Sequence, residues 1–290
     1  MGEPLLDWIG AAAVQSAHAL FNVGGVLVFG AAGFFLLALL LRGRDALSDA
    51  LRVLPETRTN LALAAFNAIA LAPVFAMLAV GLDTLAGVAA WRAPLSAFWN
   101  NLPAALVWSA AVIAGDFTGY WRHRLEHVRW LWPSHAVHHS DTDMTWLTLH
   151  RFHPVNRLMT YGIDTGVLVL LGFPTEAVIV NLMVRQYYGM FIHARLDWHY
   201  GALGRIFVSP VMHRWHHACD RRAYNANFAT VFSLWDQAFG TYFVPGPVTA
   251  ATGVDHSMGA GLAGQLGYAL SPRAYGRPAA PPAARETGRA

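Results

Sequence analysis

The feature that most constrains this chain is a series of long apolar runs that carry no charge. The first run, His18–Leu41, contains no acidic or basic residue and ends at Arg42. A helix needs about 20 apolar residues to cross the hydrocarbon core of a bilayer, so this run is long enough to span one. Charged residues make up only 13% of the sequence and the mean hydropathy is +0.36, whereas soluble domains carry about a quarter charged residues. Length and composition together favour a membrane protein.

Two further stretches have the same character, Asn60–Leu82 and Ala97–Gly115, and a longer, mostly apolar stretch follows at Leu158–Met190. The last one is interrupted by Gly172-Phe173-Pro174, which predicts a turn. We therefore expect this stretch to form a helical hairpin that enters the membrane and returns. The predicted fold class is an all-α integral membrane protein with about four transmembrane segments, the last a hairpin, and a cytosolic helical cap.

The distribution of arginine predicts how the chain is oriented. The sequence has no lysine, so arginine alone carries the basic charge behind the net charge of +3. The connection between the first two predicted spans contains Arg42, Arg44, Arg52 and Arg58, whereas the next connection contains only Arg92. Because cytoplasmic loops are enriched in basic residues, the first connection is expected to be cytoplasmic. The basic residues flank apolar segments, which argues against a nucleic-acid partner despite a pI of 9.2.

Histidines form three clusters close to the predicted spans. The first is a pair, His123 and His127, four residues apart and therefore on one face of a helix. The other two clusters share the pattern H-x-x-H-H, whose first and last histidines share a face while the middle one is rotated by roughly 100°. The two triplets are His135/His138/His139 and His213/His216/His217. Such triplets can provide ligands to two neighbouring metals, and eight imidazoles exceed the needs of one four-coordinate zinc. The only cysteine is Cys219, which excludes a thiolate cluster.

The order of the clusters, H-x-x-x-H and then H-x-x-H-H twice, resembles the fatty acid hydroxylase / sterol desaturase superfamily of membrane di-iron enzymes. The surrounding words are similar to the family's as well: Asp116 with Tyr120–Arg124, Trp146–Pro154, Ile206–Pro210, Asn227-Phe228 and Trp235–Tyr242. The resemblance covers about Asp116–Tyr242. Together with the apolar runs and the composition of the C-terminal part, it predicts three regions: N-terminal transmembrane helices over 1–115, a di-iron catalytic domain over 116–245 that includes the membrane hairpin 158–190, and a flexible Gly/Ala/Pro-rich C-terminal tail over 246–290.

The resemblance also implies a set of site residues. The eight cluster histidines match the family's metal ligands, and His193 matches an additional family histidine, which makes it the ninth predicted ligand. Asp116 is expected to orient His123 or His127 through the ring nitrogen that does not face the metal. His153 and Asn227 are expected in the outer layer of the site or at its rim. His18 and His256 are not expected to bind metal, whereas His150 and His199 stay open. No catalytic residue is predicted beyond the ligands.

By the same resemblance, the chain is expected to be an O₂-dependent di-iron oxygenase that hydroxylates an unactivated C–H bond of a membrane lipid. The lipid can be a fatty acyl chain, a sterol, a carotenoid or a polar lipid. The cofactors implied are two iron ions, with O₂ as co-substrate. The sequence shows no nucleotide-binding or haem-attachment motif, so electrons are expected from a separate reductase or carrier protein. We expect a multi-pass protein of the bacterial inner membrane with its catalytic face in the cytoplasm; the oligomeric state stays open.

The histidine pattern is also compared with four other functions that a membrane protein with such clusters could have. A lipid desaturase would use the same di-iron site. A zinc-dependent membrane hydrolase would need the glutamate placement of H-E-x-x-H, which the segment His123–His127 lacks. A metal transporter would hold its ligands in the middle of its spans, whereas these clusters lie just outside them. A b-type haem protein would use a few facing histidines inside a helix bundle rather than two H-x-x-H-H triplets.

Overall fold

A computed structural model describes residues 3–84 and 86–275, and every regular element within these two ranges is helical. The helices are α1 Glu3–Arg42, α2 Asp45–Arg52, α3 Leu54–Thr84, α4 Ala86–Asn100, α5 Ala104–Glu126, α6 Trp132–His139, α7 Pro154–Met159, α8 Gly166–Leu170, α9 Thr175–His193, α10 Pro210–His216, α11 Leu234–Ala238, α12 Gly261–Tyr268 and α13 Pro272–Tyr275. Short 3₁₀ helices occupy Trp146–His150 and Gly201–Arg205, and a π-helical turn, Thr160–Thr165, joins α7 to α8.

Helices α1 and α3 pack against each other and are the two longest elements in the described ranges. Within them, Trp8–Arg42 and Leu54–Gly81 are long and apolar enough to cross a membrane by length and composition. Large apolar side chains on α1 face outwards, with Phe21 81% and Phe29 77% exposed. Exposed aromatic rings in such number indicate a surface that is covered by lipid or by a partner rather than by water. These features are those of a membrane protein; four spans and a cytosolic cap remain predictions.

The third predicted span, Ala97–Gly115, is divided between two helices. Helix α4 ends at Asn100, and α5 begins after Pro103, whose extended backbone and missing N–H make it a helix start rather than a helix interior. Helix α5 then continues to Glu126, well beyond the predicted end of the span. The apolar stretch in the sequence therefore did not reveal the helix boundary inside it.

The turn at Gly172-Phe173-Pro174 separates two helical arms, as its sequence predicts. The first arm runs through α7, the π turn and α8, and the second is α9. Gly172 has φ +75°, and a Cβ there would collide with Leu95, so this position requires glycine. Phe173 stacks on Trp99 with ring centroids 4.2 Å apart. Both arms pack against α5 through a buried cluster: Val107, Ala111, Leu168, Phe173, Ala177 and Val178.

The segment after Gly246 differs from the flexible tail that its composition predicts. Met258 is buried with Ala136 and Val137 of α6. On α12, the Gln265 side chain accepts a hydrogen bond of 2.9 Å from the Ser140 hydroxyl. This segment therefore packs against α6. Its small Gly and Ala residues, which predicted flexibility, instead allow close packing. The predicted tail from residue 276 onwards lies outside the described residues.

Candidate metal centre

The ends of two longer helices, α5 and α9, and two short helices, α6 and α10, bring the predicted ligands together. His123 lies in the last turn of α5 with His127 at its end, the second triplet lies on α6, His193 ends α9 and the third triplet begins on α10. Helix α10 begins at Pro210, whose missing N–H is not needed in a first turn, and the Ser209 hydroxyl accepts a hydrogen bond of 3.1 Å from the Met212 N–H. Proline also occupies the first turn of α6. Each triplet is thus held on a helix with a fixed starting point.

All nine predicted ligand histidines are buried and form two adjacent groups. Within each group, the ring nitrogens that face one another lie within 4.8 Å. The five-histidine group contains His123, His127, His135, His139 and His216, and the four-histidine group contains His138, His193, His213 and His217.

Each triplet is shared between the two groups. The first and last histidines of the second triplet join the five-histidine group, and its middle residue, His138, joins the other. In the third triplet the arrangement is reversed, because His213 and His217 join the four-histidine group while His216 crosses to the first. The 100° rotation between neighbouring helical positions therefore lets two short helices serve two sites at once.

The spacing of the ring nitrogens fits metal ligands. His135 Nε2 lies 3.0 Å from His123 Nε2 and 3.2 Å from His139 Nε2. In the other group, His193 Nε2 lies 3.1 Å from His138 Nε2 and 2.9 Å from His213 Nε2. Two imidazole nitrogens bound to one metal at about 2.0–2.1 Å are separated by roughly 3 Å.

Ring nitrogens without a hydrogen-bond partner support the same conclusion. His127 Nε2, His216 Nε2 and both ring nitrogens of His217 are buried and have no partner within the part of the chain that the structure describes. Leaving a buried polar atom unpaired costs about 1–3 kcal/mol, so several such atoms at one place indicate a bound group. The residues present therefore fit a pair of metal ions held by imidazole.

Burial keeps these imidazoles neutral. It lowers the pKa of His216 to about 4, although the hydrogen bond to the Ala226 carbonyl acts in the opposite direction. Burial likewise lowers the pKa of His193 to about 3. The pKa values of the other seven lie well below the ordinary value for the same first reason. A neutral imidazole keeps the lone pair that a metal needs, so no proton has to leave before binding.

A short loop, residues 226–228, fixes two rings of the five-histidine group. His216 Nδ1 donates to the Ala226 carbonyl at 2.7 Å, and His123 Nδ1 donates to the Phe228 carbonyl at 2.7 Å. Asn227, between these two residues, has the left-handed φ of +60°. Its side-chain amide donates to the Met212 and Phe243 carbonyls and accepts from the Phe243 N–H. Asn227 thus holds the loop that orients two imidazoles without touching either ring itself.

Asp116 does not orient a histidine directly, contrary to the expectation from the sequence. Its carboxylate accepts hydrogen bonds of 2.9 Å from the N–H groups of Val231 and Phe232 and of 3.1 Å from the Trp235 ring. The Nδ1 of His123 is already committed to a backbone carbonyl, so Asp116 fixes the following part of the same loop instead. Its effect on the site is indirect.

Two carboxylates near the site were missed from the sequence. Asp236 accepts from the N–H groups of Phe228 and Ala229 at 2.8 and 3.0 Å, which secures the same loop. Glu126 is fully buried, and its carboxylate lies 3.4 Å from His135 Nδ1. It also forms an ion pair with Arg122 at 2.6 Å. The signal for Glu126 was its position three residues after His123, which places the two side chains on neighbouring turns of one helix face.

The remaining predicted positions lie outside the two groups. His153 is buried at the start of α7, where its Nδ1 accepts a hydrogen bond of 3.3 Å from the Val155 N–H and so caps the helix. His150 lies 3.3 Å from the Gln186 amide. His199 and His18 are exposed, and His256 bonds to Tyr268 at 2.6 Å. None of these five is brought into either group.

Comparison with known proteins gives matches that cover this centre. The family model described as fatty acid hydroxylase matches residues 108–241, which include all nine histidines. An ornithine lipid hydroxylase of Rhizobium tropici is 31% identical over 179 residues, covering 61% of this chain and 54% of that protein. Human alkylglycerol monooxygenase is 34% identical over 145 residues, covering 49% and 32%. A methylsterol monooxygenase of Arabidopsis thaliana is 27% identical over 140 residues, covering 43% and 44%.

The chain spans about half the length, or less, of these curated relatives. No solved structure matches it. The relatives are monooxygenases and hydroxylases by name, and the histidine pattern that carried the resemblance lies inside the matched residues. The family model, the relatives and the arrangement of the histidines agree: residues 108–241 of this chain, which hold the metal centre, match the fatty acid hydroxylase family.

Proposed function

We propose that this protein is an O₂-dependent di-iron oxygenase that hydroxylates an unactivated C–H bond of a membrane lipid. The observation that carries the proposal is the pair of adjacent, buried and neutral imidazole groups, five histidines beside four, with ring nitrogens at ligand spacing. The family match supports the reaction class, because the relatives carry hydroxylase and monooxygenase names.

The nine histidines would hold one iron ion in each group. Iron bound there would supply the activation of O₂ and the oxidation of the C–H bond. The protein's own residues do the rest: burial keeps the imidazoles neutral, the Phe228 and Ala226 carbonyls fix the ring orientation, and the buried surroundings keep water out. Imidazole ligation also suits zinc and manganese, so the identity of the metal is part of what has to be measured.

Hydroxylation consumes one O₂, two electrons and two protons, and it yields the alcohol and one water. The electrons are proposed to come from a separate carrier protein or reductase that docks on the cytoplasmic face. This orientation rests on the arginine distribution around the predicted spans. A multi-pass topology in a bacterial inner membrane, with the metal centre on the cytoplasmic side, belongs to the same proposal.

The substrate is proposed to be a lipid that enters from the bilayer. The relatives are named for ornithine lipid, alkylglycerol and methylsterol substrates, which differ in structure but are all lipids. The long apolar helix α3 packs through Leu63 against α6, which carries the second histidine triplet, and this contact supports access from the membrane.

Lipid mass spectrometry tests this function. A host that produces the protein should accumulate a lipid with one added oxygen atom, and growth under ¹⁸O₂ should label that atom. The variant His138→Ala should abolish the product, while His18→Ala, which replaces an exposed histidine outside both groups, should retain it. A product that has instead lost two hydrogen atoms would identify a desaturase. Unchanged lipids with fully iron-loaded protein, or full activity of His138→Ala, would contradict the proposal.

A further inference from the structure

A cavity of about 240 Å³ lies between α1, α3 and the segment that follows the second histidine triplet. Four alanine side chains from the two helices form most of its apolar wall, and their small size leaves the space open. Its polar lining consists of Asn22, Asn67, His150 and Arg157. Four polar groups that converge on a mostly apolar cavity are typical of a ligand site.

Arg157 is the charged group of this cavity. Within residues 3–84 and 86–275 its guanidinium makes no hydrogen bond and no ion pair, and it lies over the ring of Phe152 at 5.8 Å. The nearest carboxylate that acts on its charge, Asp164, is already paired with Arg122 and Arg185. Placing a cation among apolar helices without a directly paired anion is costly, and ionisable residues in such places commonly mark a substrate path. The five N–H donors of the guanidinium are therefore available to a ligand oxygen.

Asn67 provides a hydrogen-bond acceptor in the same cavity, whereas Arg157 provides donors. Its side chain is 7% exposed, and its Nδ2 donates to the Phe152 carbonyl at 2.8 Å. This bond assigns the amide orientation, so Oδ1 is the free acceptor, and it has no donor among the described residues. The cavity thus contains an unused cationic donor and an unused neutral acceptor.

The cavity is one aromatic ring away from the four-histidine group. Phe152 lines the cavity and stacks on His138, with ring centroids 4.6 Å apart and an angle of 14° between the ring planes. The Arg157 guanidinium lies over the same ring at 5.8 Å. Phe152 therefore contacts both His138 of the four-histidine group and the charged group of the cavity.

We propose that this cavity binds the polar group of the lipid substrate. A carboxylate or phosphate oxygen pairs with Arg157, and a neighbouring N–H or O–H donates to Asn67 Oδ1. The substrate class is then a lipid whose small polar group carries an anionic oxygen beside a hydrogen-bond donor. This assignment rests on the proposed oxygenase function for its biological meaning, but binding itself can be measured without turnover.

The first test measures binding to the protein purified in a non-ionic maltoside detergent, with its iron content determined in the same preparation. The probes are dodecanoate, dodecyl phosphate and dodecan-1-ol, with inorganic phosphate as the probe without a chain. The wild type should bind the two anionic amphiphiles at least about tenfold more tightly than the alcohol, because charge-assisted pairs with arginine are strong. Arg157→Gln should remove that preference, and Arg44→Gln, at an exposed arginine, should keep it.

A second variant covers the case in which Arg157→Gln does not fold. Ala68→Leu fills the cavity from α3 and leaves the arginine in place, so it should weaken binding of all chain-bearing probes. Wild-type binding by Ala68→Leu, or an unchanged anion preference in Arg157→Gln, would overturn the assignment. Equal binding of inorganic phosphate and dodecyl phosphate would also overturn it, because it would identify a free-anion site.

The same preparations separate this inference from the proposed function. Anion-selective binding by a protein that holds no iron would leave the cavity assignment intact and refute the oxygenase. The opposite result is also possible to detect. If the wild type forms an oxygen-dependent lipid product and Arg157→Gln binds and turns over like the wild type, the oxygenase proposal stands and the cavity assignment is refuted.

Discussion

The two histidine groups use the same ring chemistry, but the protein holds them in different ways. In the five-histidine group, the rings of His123 and His216 donate to backbone carbonyls, and His135 lies beside the Glu126 carboxylate. In the four-histidine group, only His193 has such a bond, to the Gly189 carbonyl of its own helix. The Nδ1 atoms of its other three rings have no partner in the described ranges.

Ring contacts occur in both groups, but in the four-histidine group fewer hydrogen bonds accompany them. His138 stacks on Phe152, and His193 and His213 lie with ring centroids 4.2 Å apart. Hydrogen bonds fix a ring in one orientation, whereas stacking allows it to adjust. The comparison indicates one rigid group, secured by the loop 226–228, and one adaptable group beside the cavity.

Removing one ligand from each group is expected to have the largest effect. His139→Ala and His213→Ala should each lower oxygen-dependent product formation by more than about 100-fold, since even outer partners of metal ligands cost 10–100-fold. His139→Ala leaves four imidazoles in its group and should keep more metal than His213→Ala, which leaves three. Metal content per chain and product yield measure this. Greater metal loss in His139→Ala than in His213→Ala would contradict the expectation that the five-histidine group tolerates the loss of one ligand better.

The loop that secures the five-histidine group gives the next effect. Asn227→Ala removes three side-chain hydrogen bonds and should cost about 2–4 kcal/mol of stability. It should also weaken iron binding in that group by roughly 10–100-fold. Chelator titration should release one of two irons early, whereas the exposed-residue control Asn101→Ala should behave like the wild type. Release of both irons together would contradict a role confined to one group.

The buried imidazoles predict a pH dependence of the metal-free protein. The pKa values of His216 and His193 are about 4 and 3 when folded, against an ordinary value near 6.5 when unfolded. Below about pH 6.5 the unfolded chain therefore binds more protons, so stability falls as the pH is lowered towards these folded values.

Each such histidine should add a slope of about 1.4 kcal/mol per pH unit within that window. The Tm in detergent, measured from pH 8 to pH 5, should drop steeply below pH 6.5. His216→Gln and His193→Gln should each make the dependence of stability on pH less steep, by the contribution of about one proton. A Tm independent of pH across this range would mean that the imidazoles are not buried as described.

The smallest expected effect concerns the stacked ring of the adaptable group. Phe152→Leu removes the contact with His138 and should cost about 1 kcal/mol of stability beyond the loss of buried area. Iron content should stay close to that of the wild type, while the affinity for anionic amphiphiles should change, because Phe152 also lines the cavity. Loss of iron from both groups would show that the stacking is not a local feature.

Local patterns were sufficient to predict much of this molecule. The H-x-x-H-H spacing places neighbouring rings on two faces of a helix, and the structure divides each triplet between two groups in that way. Gly172-Phe173-Pro174 likewise predicted the turn, because positive φ and a missing N–H are properties of the residues themselves.

Contacts between distant segments could not be predicted in this way. The sequence shows that buried charges such as Asp164 need partners, but it does not show that Arg122 and Arg185 provide them at 2.8 and 2.6 Å. Asp116 was expected to orient a histidine, whereas its partners are residues 231, 232 and 235. The packed segment around Met258 was missed because composition does not report long-range burial.

The central claim is that nine histidines hold two iron ions in unequal surroundings. Metal analysis of the detergent-purified protein tests it most directly, with iron and zinc measured per chain in the wild type and in His138→Ala. The account predicts about two irons per chain in the wild type, one for each group, and clearly fewer in the variant. One zinc and no iron, or an iron content that His138→Ala leaves unchanged, would contradict it.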